Sequence, residues 1–165
     1  MKPEVVTNFS LDATDLRILA VLQEDAGVAN QDLAERVHVS AATCLRRVRR
    51  LVEAGFILRR VALLSPEALG PVLQVICEVT LDRQGLEHVD AFEARVIAHP
   101  AVQQAYRVSP GPDLVLMAVA RDMSAWTQVV AALFTQDANV RNVKTFFVLK
   151  RSKYDTAWPL PQADA

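Results

Sequence analysis

With 165 residues the chain can bury one sizeable core or two small ones, and two cysteines are too few for a disulfide framework. The formal net charge of -1 hides an uneven distribution: Arg46, Arg47, Arg49, Arg50 and Arg59 fall between Arg36 and Arg60, opposed only by Glu53, and the remainder is acidic. No charged-then-apolar leader opens the sequence, since Pro3, Glu4, Asn8 and Asp12 interrupt it, and the longest apolar run, Leu114 to Ala120, is too short to span a bilayer. A soluble, cytoplasmic protein of a reducing compartment is expected, with Cys44 and Cys77 buried in apolar patterns.

Met1 to Ser10 carry no period and read as a loose arm. A helix starts after Asp12, which caps it, with Asp15 at the third helical position and Leu11 able to staple to Leu16. Ile18, Leu19 and Leu22 continue its inner face to about Gln23. Asn30 reads as the N-cap of a short second helix with Leu33, Ala34 and Val37 inward; His38 and Val39 form a break. Ser40 caps a longer third helix that stops at Gly55.

A short helix, a tight turn and a longer helix make a helix-turn-helix outline, here over about residues 30–49. At roughly 100° per residue, Cys44, Leu45, Val48, Leu51 and Val52 gather on one side of the third helix. Ala42, Thr43, Arg46, Arg47 and Arg50 gather on the other, with Arg49 just off that stripe. Such a face suits the DNA major groove, because arginine pairs with guanine edges or phosphates. Past Gly55, Phe56-Ile57-Leu58 and Val61 to Leu64 suggest a short wing or a strand, with Arg59 and Arg60 between them placed to touch phosphates. Residues 11–64 therefore read as a DNA-binding head and residues 65–71, with Ser65-Pro66 and Gly70-Pro71, as a hinge.

The second half has another rhythm. Val72 to Asp82 is strand-like, with Leu73, Val75, Cys77, Val79 and Leu81 on one face. Gly85 to His99 is helical, with Leu86, Val89, Phe92, Val96 and Ile97 inward. Two strands, Val102 to Val108 and Asp113 to Ala120, flank the Ser109-Pro110-Gly111-Pro112 turn. Ser124 to Gln136 is a helix with Trp126, Val129, Val130, Leu133 and Phe134 inward, and Val140 to Lys150 is a last strand before a tail over residues 151–165. The order β-α-β-β-α-β over residues 72–150 is the ferredoxin-like plan, so the fold class is α+β. Leu114 to Ala120 is apolar on both faces, and the sheet face away from the helices needs a cover. A second copy supplies one, and a twofold dimer would present two recognition helices to a pseudo-palindromic operator.

The words LDATDLRILAVLQED, NQDLAERVHVSAATCLRRVRRLVEAGFI, VSPGPDLVL, DMSAW and NVKTFFVL together resemble the Lrp/AsnC (leucine-responsive, feast/famine) transcription regulators from about Leu11 to Lys153. That resemblance implies a winged or plain helix-turn-helix head, a ferredoxin-like effector domain, dimers that assemble into octamers, a nucleoid-associated location and an amino-acid effector. It places DNA reading on Ser40, Ala42, Thr43, Arg46 and Arg47, to which the helical face adds Arg50. It places the effector between subunits, at the turn and the start of the next helix: Ser109, Gly111, Asp113, Leu114, Met123 and Trp126. An amino-acid pocket needs a carboxylate for the ammonium group and N–H donors for the carboxylate. Asp113 matches the family aspartate, whereas Pro110 stands at the family's glycine position, and Pro110 and Pro112 remove two donors. Met123 and Trp126 fit an apolar wall or plain core packing. His38 stands where the family often has Gly or Asn, and Gly27 replaces a common Arg.

Two other readings compete. Siroheme decarboxylases resemble this family in both domains, and Leu58-Arg59-Arg60-Val61 is similar to their Arg-Arg segment. Their His-Asn-Tyr motif is replaced by Gln104-Ala105-Tyr106, and His38, His88 and His99 lie outside that strand. No nucleophile elbow, metal-ligand cluster or phosphate loop is present, so no catalytic residue, metal or cofactor is expected. The other is a small-molecule-binding assembly protein with a degenerate head, which the arginine face opposes.

Overall fold

The computed structural model describes residues 10–137 and 139–161, and the chain divides into two compact units. One holds the described residues up to Leu63 and those from Lys153 onward; the other spans Leu64–Ser152. The loose arm expected over Met1 to Ser10 lies, save for Ser10, outside the described residues.

The head is built on α1 (Ala13–Glu24), α2 (Asn30–Arg36) and α3 (Ala41–Glu53). Asp12 and Asp15 cap α1 reciprocally: Asp12 Oδ1 accepts from the Thr14 and Asp15 N–H groups at 2.9 Å each, and the Asp12 N–H donates to Asp15 Oδ2 at 3.3 Å. Ala29, not Asn30, is the N-cap of α2, and it offers no side-chain bond. The Asn30 amide is used elsewhere, donating to the Ala41 carbonyl at 2.9 Å and so tying the start of α2 to the start of α3. His38 turns the chain between them at φ 59, a left-handed conformation that His, Asn and Gly tolerate better than most residues. Ser40 Oγ then accepts from the Thr43 N–H at 3.2 Å to cap α3.

Ile18 and Leu22 of α1, Leu33 and Ala34 of α2, Val37, and Cys44, Val48 and Leu51 of α3 form one buried cluster. Each fully buried aliphatic side chain there contributes roughly 1.5–3 kcal/mol. Leu45 and Val52, expected on the inner face, are 41% and 47% exposed. They stand at one margin of the apolar stripe, beyond the arc that α1 and α2 cover. The expected wing strand is also not formed: residues 58–64 have no regular structure, and Leu58, Val61, Leu63 and Leu64 are exposed. Phe56 and Ile57 instead pack on the head cluster, and the segment beyond them finds no partner strand among the described residues. In the tail, the Trp158 N–H donates to Gln23 Oε1 of α1 at 3.0 Å.

In the second unit a single turn, α4 (Pro66–Leu69), occupies the hinge region, capped by Ser65. It is followed by β1 (Leu73–Leu81), α5 (Leu86–Ala98), β2 (Val102–Arg107), β3 (Leu114–Ala120), α6 (Met123–Val130) and β4 (Val140–Phe147). The strands pair antiparallel in the order β2-β3-β1-β4, the ferredoxin-like arrangement. Alternation puts Val75, Cys77, Val79 and Leu81 of β1 and Leu114, Leu116, Ala118 and Ala120 of β3 on one face. Val89, Phe92 and Val96 of α5 and Trp126 and Val129 of α6 pack against them. Leu86 and Ile97, expected inward, are 70% and 64% exposed, because only the narrower Val89-Phe92-Val96 stripe meets the sheet. The second helix, read as continuous to Gln136, passes into a π-helical turn at Ala131–Thr135, which still buries Leu133 and Phe134. The last strand ends at Phe147 rather than Lys150.

Candidate functional site

The outer face of α3 is the first candidate. Ser40, Ala42, Arg46 and Arg49 are exposed and Thr43 is half-buried beside Ser40, whose hydroxyl donates to Thr43 Oγ1 at 2.9 Å. No acidic residue occupies the first turn of α3. A groove-facing end of this kind offers small side chains for close approach and an extended guanidinium for guanine or phosphate.

Arg47 and Arg50 are placed differently from the sequence reading, which set them with Ala42 and Arg46 on the side opposite the core. Arg47 Nη1 donates to Asp12 Oδ2 at 2.6 Å and to Asp15 Oδ1 at 2.9 Å, and Arg50 Nη2 donates to Asp15 Oδ2 at 2.5 Å. Asp15 is wholly buried and the Arg47 side chain retains only 20% of its exposure. The reason is angular: three residues are 300°, so Arg47 stands about 60° from Cys44, at the margin of the buried stripe next to α1. Arg47 Nε is buried with no acceptor among the described residues, so Nη1 alone anchors the group. The Asp12 carboxyl is held below its usual range, first by the Asp15 N–H and then by Arg47, and Arg47 is held above its own range by Asp12 and Asp15.

The expected effector residues do not close a pocket within one chain. Leu114 and Trp126 belong to the core at 0% and 4% exposure, whereas Ser109, Gly111 and Met123 are exposed. Gly111 has φ 116 and nothing within 4 Å of where a Cβ would stand, so the turn leaves open space there. Asp113 does structural duty: Oδ2 accepts from the Leu81 N–H at 2.7 Å, beside the register shift at Thr80/Leu81, and from Gln84 Nε2 at 3.4 Å. Two clefts lie elsewhere. One of about 500 Å³ is lined by Pro66, Glu67, Gly70, Lys150 and Arg151, and one of about 320 Å³ by Phe134, Val140, Arg141 and Thr145. Among the described residues no group of three or more His, Cys, Asp or Glu is arranged to hold a metal, and no helix is long and apolar enough to cross a membrane.

Sequence reasoning missed the Asp15 clasp. Its signal was present, since Asp12 and Asp15 are acidic where the only nearby arginine-rich helix could approach, but dipole compensation explained them locally.

Comparison with known proteins agrees with both halves. Residues 11–57 match the family described as winged helix-turn-helix DNA-binding, and residues 74–158 match the Lrp/AsnC ligand binding domain. A leucine-responsive regulatory protein of Rhizobium meliloti is 40% identical over 90% of this chain and 96% of its own length. The Bkd operon transcriptional regulator of Pseudomonas aeruginosa is 33% identical over 91% and 98%. A Neisseria meningitidis transcriptional regulator solved as an L-Met complex superposes with TM-score 0.82 at 35% identity, covering 91% of this chain and 97% of that one. With a DNA-binding helix-turn-helix and a ferredoxin-like domain that match along almost its whole length, the chain belongs to the Lrp/AsnC family of transcriptional regulators.

Proposed function

We propose that this regulator reads a pseudo-palindromic operator through Ser40, Ala42, Thr43 and Arg46, as a homodimer able to assemble further, toward an octamer, and that it answers to an amino acid. The observation that carries the DNA reading is the outer face of α3, where exposed Ala42 and Arg46 stand on a helix with no acid in its first turn. Binding rather than catalysis is the proposed activity, and the nucleoid is its place of action. The siroheme reading finds no support, since β2 carries no histidine.

The amino-acid reading is supported by the ligand-binding family match and by the L-Met complex of a relative 35% identical. In this proposal Asp113 offers its second oxygen to the ammonium group, Ser109 and Gly111 border the carboxylate, and Met123 supplies an apolar wall. Leu114 and Trp126 act from the core behind it. A second copy completes the pocket across the interface, which couples ligand occupancy to assembly.

The test is equilibrium binding to a duplex selected from random sequence by the full-length protein, at several salt concentrations and with each amino acid at millimolar concentration. Affinity should fall steeply with salt, and Arg46→Ala should cost about 1–3 kcal/mol on the selected site. One amino acid should change both operator affinity and the unfolding midpoint. Asp113→Asn should abolish that response while its side-chain oxygen still accepts from Leu81. Salt-independent binding would sink the DNA contacts, and silence across the panel would sink the amino acid.

A further inference from the structure

The recognition helix carries four arginines within five positions, and the structure divides them into two pairs. Arg46 and Arg49 are exposed and make no ion pair among the described residues. Arg47 and Arg50 both reach the carboxylate of Asp15, one oxygen each, at 2.9 and 2.5 Å. Asp15 has no exposed surface, and Asp12 adds a second carboxylate to Arg47 at 2.6 Å. We infer that Asp15 is a positioning residue for DNA recognition: it clasps Arg47 and Arg50 to α1 and thereby fixes the roll of α3, so that these two arginines orient the reading face instead of touching DNA.

The geometry makes this a matter of rotation, not only of adhesion. A single contact between two helices fixes their separation but leaves the second helix free to turn about its own axis. Arg47 and Arg50 are three residues apart, one turn along the same flank of α3. Holding both at one carboxylate pins two points along that flank. The flank lies roughly 40–160° around the helix from Arg46, Ala42 and Arg49, so a roll of that flank carries the reading face with it across the groove. Asp15 is itself fixed by the α1 cap, because Asp12 accepts from its N–H and donates to its carboxylate.

The competing use of the two arginines is to leave Asp15 and pair with phosphates. That exchange strands a wholly buried carboxylate without its counter-charges, and an uncompensated buried charge is among the costliest defects a protein can hold. The half-buried Arg47, with its Nε buried and its Nη1 on both carboxylates, is lodged at the α1–α3 seam rather than extended into solvent. The two arginines therefore add no released counterions when the head binds.

The inference rests on the head binding DNA, and the wild-type chain reports on that separately. Full-length wild type, Asp15→Asn, Arg47→Gln and Arg46→Ala are titrated with a duplex selected by wild type and with an unrelated duplex, over a series of salt concentrations. Asp15→Asn removes a negative charge beside a DNA-binding face, which by charge alone would tighten binding to both duplexes. Positioning makes the opposite prediction: affinity for the selected duplex falls about tenfold or more while affinity for the unrelated one holds or rises, so the specificity ratio collapses. Arg47→Gln keeps a donor toward Asp15 and should lower the ratio without changing the salt slope. A phosphate contact would instead reduce that slope by about one, as each lost contact does. Unchanged or tighter selected-site binding by Asp15→Asn, or a slope lowered by Arg47→Gln, overturns the assignment. Should Asp15→Asn fail to fold, the Arg47→Gln slope decides by itself. A wild-type chain that selects no DNA overturns the inference together with the DNA-binding reading, whereas loss of binding by Arg46→Ala with an intact ratio in Asp15→Asn overturns the inference alone.

Discussion

Asp12 does two jobs with one carboxylate, and pH separates them. Oδ1 caps α1 at the Thr14 and Asp15 N–H groups, while Oδ2 meets Arg47. Its carboxyl sits below the ordinary value of 3.8, chiefly through the Asp15 N–H and further through Arg47, against an opposing contribution from burial. A lowered folded-state pKa means that the charged form is favoured by folding. The stabilisation is therefore complete above the ordinary carboxylate range and is lost as pH falls through it toward the lower folded value. Asn is as good an N-cap as Asp but carries no charge. Asp12→Asn should accordingly unfold in less denaturant than wild type at pH 7, with the gap closing as pH falls below the ordinary carboxylate range. A gap that stays constant with pH would assign the effect to the cap hydrogen bonds rather than to the charge.

At the scale of elements, α3 is the piece whose boundaries matter most, because its ends set how much helix the groove meets. Its C-terminus closes as a Schellman turn: the Gly55 N–H donates to the Val52 carbonyl and the Phe56 N–H to the Leu51 carbonyl, each at 3.0 Å. Gly55 adopts φ 80 to allow this, and Phe56 then packs on the head cluster. Gly55→Ala puts a Cβ into the left-handed region at a cost of roughly 1–2 kcal/mol. The expected result is faster amide exchange over Ala41–Glu53, by about fivefold for each kcal/mol, with β1 and β3 of the other unit unaffected. Unchanged protection in α3 would show that the turn absorbs the side chain. That Gly was legible in the sequence, as were Ser40 and Asp12, because caps and stops are local chemistry. The strands were legible for a related reason, since β1 and β3 alternate over many residues. Tertiary choices were hidden. Leu45, Val52, Leu86 and Ile97 are apolar at helical spacing, yet how wide a stripe gets covered depends on neighbours that periodicity does not name. Arg47 was misplaced for the converse reason: a polar residue on the flank of a stripe goes outward unless an acid waits across the seam, as Asp15 does. Of the effector residues, which the resemblance places at the turn and the start of the next helix, Trp126 also fits core packing at helical spacing, and the core claims it together with Leu114.

At the scale of the molecule, the sheet of the second unit poses the largest question of burial. Its face away from α5 and α6 carries Ile76 on β1, Val115, Met117 and Val119 on β3, Tyr106 on β2 and Phe146 on β4. Met117, Phe146 and Tyr106 are 37%, 49% and 50% exposed. The registers set Gln104, Met117, Ile76 and Phe146 side by side in one row across all four strands, with the Glu78–Lys144 pair in the next. A charge-poor row of this kind suits a copy of itself related by a twofold axis, since the same residues meet and no carboxylate or ammonium is left facing an apolar partner. In the proposed dimer, Met117→Asp sets two like charges near the axis in a desolvated interface. Sedimentation equilibrium should then give the monomer mass where wild type gives a multiple of it. The consequence reaches DNA although Met117 lies in the unit without the helix-turn-helix. Two heads joined in one dimer bind the second half-site at an effective concentration near millimolar, and losing that link lowers operator affinity by about 10²–10⁴-fold. Affinity for a duplex carrying one half-site should hardly change, because α3 is untouched. An operator affinity that falls in step with half-site affinity would instead place the damage within the head, and a variant that keeps the wild-type mass would leave the sheet face to another cover.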